Sequence, residues 1–132
     1  MKRMRLMVSA LLVVSVGCGA SPTDPTQYMT PMREVAQERT WHYAALAGID
    51  RPTVRFEVAP QSWMAAWVAC PGEGVSWNAH WLATSATAAE VDIGARHEVC
   101  HLRLGHHRAP CPMDAATVAA REGEAVECER AL

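Results

Sequence analysis

His97, Glu98 and His101 stand in the stretch RHEVCHLRLGHHRAPCPMD, Arg96 to Asp114, together with His106, His107, Cys100 and Cys111. Four of the chain's six histidines fall in this stretch, and Glu98 is the only acid between His97 and Cys111. On a helix, residues four apart project from one face a turn apart, so the His97 and His101 imidazoles can hold one metal ion. Zinc suits imidazole ligands and, in a catalytic site, keeps one position for water. Glu98 lies on a neighbouring line of the same helix. In an HExxH pattern that carboxylate is the general base: it takes a proton from the zinc-bound water as the water attacks a peptide carbonyl, then passes it to the leaving amine.

Two ligands are too few, and helix geometry constrains the third. With a rise of about 1.5 Å per residue, His107 would lie about 9 Å beyond His101 on a continuing helix, so the chain must turn back. Gly105 suits that turn as the left-handed residue that ends a helix, after which His107, or else His106, can fold back onto the metal. The rival is an acid on a last helix, for which Asp114 is the expected N-cap. There Glu122 and Glu129 share a line with Ala115, Val118, Ala125 and Val126, whereas Glu124 points the opposite way and is expected in solvent. Glu122 is the alternative third ligand, an ion pair with an arginine being its other reading. His107 is the expected ligand.

The elements that must position these groups read as an α+β fold. Pro31 to Gly48 reads as a helix, with Pro31 at its first position and Val35, Trp41, Ala45 and Leu46 at helical spacing. Thr53 to Pro60 alternates Val54, Phe56 and Val58 against Thr53, Arg55 and Glu57, the period of a half-buried strand. Gln61 to Cys70 suits a short helix or a strand, and the PGEG that follows is a turn. Val75 to Ala86 begins with the alternation of a strand, expected at the edge of a small sheet, where Asn78 or His80 would be available to substrate. Thr87 and Glu90 then match a capping box, starting a helix over Ala88 to Leu104 that carries the motif. On it Asp92 and Arg96 are spaced to pair. Val91, Ile93, Ala95, Leu102 and Leu104 surround the motif residues, which makes the helix look buried on most sides. Three titratable groups on a buried face are costly unless they serve a site.

The chain has 132 residues, half of them hydrophobic, enough for one small domain. Residues 1–20 read as an export signal, with Lys2, Arg3 and Arg5 ahead of an apolar run, Leu6 to Val16, too short to span a bilayer. The run ends in SVGC, similar to a bacterial lipobox, so Cys18 is the expected lipidation site and a membrane anchor. Residues 21–30 then form a polar tether rich in Pro and Thr, and residues 31–132 the folded domain. Such a protein belongs to the bacterial cell envelope, facing the periplasm or the exterior. Without the signal the chain is acidic, which excludes a nucleic-acid partner.

The residues HEVCHLRLGHH resemble the HELCHLRxxNH signature of the small YgjP-like zinc metallopeptidases, minimal relatives of the gluzincin proteases. The resemblance implies zinc held by His97, His101 and His107, with Glu98 as the base. Cys100, Leu102 and Arg103 match as well, while His106 stands where that family tends to have Asn and Arg108 where it has Ser. A second resemblance is to the metzincins, whose HExxHxxGxxH also ends on His107. Cys111-Pro112-Met113 looks like their methionine turn, although their glycine would fall at Leu104 rather than Gly105.

Four cysteines remain in the exported part, Cys70, Cys100, Cys111 and Cys128, and two disulfides are expected among them. Cys128 lies about 20 Å along the last helix from its start, too far to meet Cys111. The expected pairs are Cys100 with Cys111 and Cys70 with Cys128. The sequence thus points to a zinc metallopeptidase acting on peptides. A catalytically silent zinc-binding or disulfide-stapled interaction lipoprotein is the alternative.

Overall fold

The computed structural model describes residues 29–132, and the expected signal, the lipidation site at Cys18 and most of the tether lie outside the described residues. The described residues form an α+β fold of four helices and a three-stranded sheet. Among the described residues no helix is long and apolar enough to cross a membrane.

Helix α1, Pro31–Leu46, starts as expected, with Pro31 in its first turn and the Thr30 hydroxyl accepting from the Arg33 amide. Its buried face differs from the expected one: Ala36, Thr40, Tyr43 and Ala44 turn inward, while Leu46 is 54% exposed. Size and hydrogen bonding decide this. Ala36 and Ala44 allow close approach, and the buried Thr40 hydroxyl donates to the Ala36 carbonyl at 2.7 Å and accepts from the Trp77 indole at 3.3 Å. Trp41 is instead held at the rim, its indole donating to the Pro52 carbonyl with Arg51 over its ring.

Strand β1, Val54–Glu57, pairs in parallel with β3, Val75–Asn78, and the two-residue β2, Ala66–Trp67, pairs antiparallel with the other side of β3. The sheet order is therefore β1-β3-β2. This corrects the expected edge position of β3, which is central and buried at all four residues. Its alternation of polar and apolar side chains misleads because Asn78 is consumed internally, its amide donating to the Met64 carbonyl and its oxygen capping Trp81. That cap starts a short helix, α2, Ala79–Thr84, on which His80 is exposed. Entry into β3 requires Gly74, at φ +76°, because a Cβ there would stand 2.2 Å from the Thr53 carbonyl oxygen.

Helix α3, Ala88–Arg103, begins with the expected capping box: the Glu90 amide donates to the Thr87 hydroxyl and the Thr87 amide donates to the Glu90 carboxylate. It packs against α1 and against the sheet, where Gly94 lets the tip of the Trp77 ring approach. The expected Asp92–Arg96 pair is present at 3.2 Å, and Tyr43 and Arg39 of α1 join it. One side of α3 is more open than expected, with Ile93 60% exposed. Helix α4, Ala115–Glu129, is capped by Asp114 and buries only Ala125 fully.

The four cysteines form two disulfides, Cys70–Cys111 and Cys100–Cys128, correcting the expected pairing. Cys111 belongs to the loop that leaves α3, and that loop is drawn onto the Cys70 turn, where the Gly72 amide donates to the His107 carbonyl. Cys100 faces the last turn of α4 instead. The exclusion of a Cys111–Cys128 bridge holds. Because the capping box closes the first turn of the helix that carries the motif, Thr87→Ala should lower unfolding stability by about 1 kcal/mol in a denaturant titration.

Candidate metal centre

His97 and His101 do share one face of α3, with their Nε2 atoms 3.1 Å apart. Glu122 of α4 meets them, one carboxylate oxygen 2.9 Å from His97 Nε2 and the other 3.2 Å from His101 Nε2. Among the described residues, the one group of three His, Cys, Asp or Glu ligand atoms lying within 4.8 Å of one another is His97, His101 and Glu122. Ligands bonded at about 2.05 Å to a tetrahedral zinc are about 3.3 Å from each other. The two Nε2 atoms stand close to that separation, and Glu122 approaches each of them with a different carboxylate oxygen, so one ligand atom of each of the three residues can be brought onto an ion by a small side-chain adjustment. Two imidazoles and one carboxylate form a donor set that zinc accepts with a fourth position left open. The residues fit the ion.

The acid that joins the two histidines is Glu122, the alternative expected on α4, and the expected His107 is not in the group. The reason lies in the helix end. Gly105 is left-handed as predicted, at φ +76°, and the His106 amide donates to the His101 carbonyl while the Gly105 amide donates to that of Leu102. This Schellman arrangement does fold the chain back, but successive side chains diverge, and it is His106 that turns toward the helix. His106 Nδ1 lies 2.9 Å from His101 Nδ1. His107 faces elsewhere, its buried Nδ1 without a hydrogen-bond partner among the described residues and its carbonyl accepting from the Gly72 amide.

Two carboxylates on α4 contact the histidines from behind. Glu129 accepts from His97 Nδ1, so that Nε2 of this ring faces Glu122. Its place was foreshadowed by the seven-residue spacing from Glu122, two turns along one helix line. Glu124 is not merely solvated as expected: its carboxylate meets His106 Nε2 at 2.7 Å. That contact had no signal in α4 alone, because it depends on the path of the loop. Asn78 caps α2 and His80 is exposed, so neither joins the group.

Glu98 lines the same cleft, buried, near the backbone of Val68 beside β2. Burial, reinforced by Glu122 and Glu129 and opposed by His97 and the Val68 amide, pushes its pKa up to about 7. Burial likewise pushes His101 down to about 4, leaving that ring neutral. On His97 burial pulls downward too, but Glu129, Glu98 and Glu122 together outweigh it and the pKa is raised. The cleft encloses about 720 Å³ between Trp63, Met64, Trp67, Val68, Ile93 and Val118.

Zinc titrated into the purified protein should bind to the unmutated chain and to His107→Ala, and Glu122→Ala should lose more than the 10–100-fold typical of removing an outer partner. His97 must be unprotonated to act as a ligand. Its raised pKa therefore means that affinity is full only above the ordinary imidazole range and falls as pH drops through the raised value, which calorimetry at several pH values reads directly. No family model, curated protein or solved structure matches this chain, so the assignment of the metal centre rests on donor geometry alone.

Proposed function

We propose that this chain is an exported zinc-dependent metallopeptidase with His97, His101 and Glu122 as ligands and Glu98 as general base. The observation that carries the reading is the convergence of three ligand residues within 4.8 Å of one another in a cleft walled by one buried carboxyl. Zinc, when bound, supplies Lewis acidity toward a peptide carbonyl and toward water. The rest is the work of the chain's own groups. Glu98, buried in the cleft, takes a proton from the attacking water and returns it to the leaving nitrogen. A carboxyl brought to about 7 suits both directions of that transfer near neutral pH. Glu129 orients His97 through its other ring nitrogen. The apolar walls of Trp63, Trp67, Ile93 and Val118 line an open cleft that can accept the side chains of a peptide.

The export signal and the lipid anchor belong to the same proposal. They place the enzyme on a membrane of the bacterial envelope with peptides or proteins as substrates. Replacing Cys18 by Ala should move the protein from the membrane to the soluble fraction of cells expressing it.

Glu98→Gln separates the enzyme from a silent metal-binding lipoprotein with the same ligands. It should keep its zinc while casein cleavage falls by about 10²–10⁴-fold. Zinc-loaded protein without cleavage of any peptide in a mixed library would reject the enzyme and leave the binding module.

A further inference from the structure

His106 and Glu124 are not needed as ligands, yet both are committed to the site. The His106 side chain is only 10% exposed, and the Schellman turn fixes its backbone. Arg121 of α4 fixes the loop further, donating to the carbonyls of His106 at 3.1 Å and Pro110 at 3.0 Å. The ring is thus held between Glu124 at 2.7 Å and His101 at 2.9 Å.

With one proton on each imidazole, the contacts of His106 set the direction of the protons along this chain. An ionised carboxylate only accepts, so His106 donates to Glu124 through Nε2–H. With a single ring proton, its Nδ1 is then an acceptor, and its partner His101 Nδ1 must donate. That puts the His101 proton on Nδ1 and leaves a lone pair on Nε2, the atom that faces His97 and Glu122. The reverse assignment sets an imidazole lone pair against the Glu124 carboxylate and places a proton on His101 Nε2, where it blocks ligation. A neutral His97 that donates through Nδ1 to Glu129 has the same pattern, so both rings then turn bare Nε2 atoms toward the Glu122 carboxylate, an arrangement of lone pairs that a bound cation would complete.

We propose that Glu124 and His106 form a positioning relay that selects the metal-binding tautomer of His101. The relay rests on the metal-site reading above, and its test separates the two. The full chain, metal-free and with ¹⁵N-labelled imidazoles, is examined by NMR at pH 8, where two-bond nitrogen–proton correlations identify each tautomer. The expected result is His101 protonated on Nδ1, with His106→Ala shifting it toward Nε2 and His106→Asn, whose side-chain carbonyl accepts in the same place, retaining it. Titration with zinc ions should then show a 10–100-fold loss of affinity for His106→Ala, recovery in His106→Asn, and a smaller loss for Glu124→Ala. Cobalt(II) spectra should be altered in His106→Ala and restored in His106→Asn. Glu124 is 59% exposed, so Glu124→Ala keeps the test available where His106→Ala does not fold. His101 protonated on Nε2 in the unmutated protein, or unchanged zinc affinity in His106→Ala and Glu124→Ala, would overturn the relay and leave the metal site intact. An unmutated chain that holds no zinc would reject the metal site, and the His101 tautomer in that chain would still decide the relay.

Discussion

Three ionisable groups within five residues of one helix, His97, Glu98 and His101, face the interior, and each must be satisfied where water is scarce. Much of the remaining structure is arranged around that constraint. Helix α4 brings Glu122 between the two imidazoles and Glu129 behind one of them. The turn after Gly105 brings His106 behind the other. The segment at β2 brings the Val68 backbone near Glu98. The opposite side of α3 meets α1 in ordinary fashion, through Val91, Ala95 and Val99 and through Asp92, which gathers Tyr43, Arg39 and Arg96.

The two faces of α3 therefore differ in what holds them. Toward α1 and the sheet, small and apolar residues interlock around Trp77, and Thr40 finds an internal partner in its indole, whereas the buried Arg96 Nε has none among the described residues. Toward α4 the apolar contribution is slight, since Ala125 is the one fully buried residue of that helix. Polar contacts and the Cys100–Cys128 bond take its place. In the chain-entropy model a bridge across 28 residues contributes roughly 3–4 kcal/mol, comparable to the burial of two aliphatic side chains. A helix carrying a ligand is thus fastened mainly by covalent and electrostatic means, leaving the space between α3, α4 and β2 open as a cleft.

Local signals in the sequence were legible, and long-range choices less so. Thr87, Glu90 and Gly105 mark both ends of α3 because caps and left-handed turns are decided by neighbouring residues. The histidine pair and the inward line of Glu122 and Glu129 follow from helical period alone. The choice between His106 and His107 does not, because the turn geometry beyond Gly105 sets which side chain faces back. The disulfide pairing was hidden for the same reason: Cys111 follows the loop to Cys70, and no local pattern encodes that destination. Central β3 was read as an edge strand because Ser76 and Asn78 look like solvent-facing residues. Asn78 is buried at little cost, since it caps α2 and binds Met64.

The fastening of α4 also bears on how tightly the site can hold an ion. A ligand that must be ordered on binding reduces affinity by the cost of ordering it. Glu122 escapes most of that cost, since Cys128 lies under two turns further along the same helix and is bonded to Cys100, which sits between Glu98 and His101. The disulfide thus sets the spacing of α3 and α4 at the level of the ligands whether or not an ion is present. Conversely, an ion bound by the folded state and not by the unfolded chain stabilises the fold in proportion to its occupancy. Because the ion would join the same two helices as the bond, the two linkages reinforce one interface, and α4, the helix with the least apolar packing, gains from both.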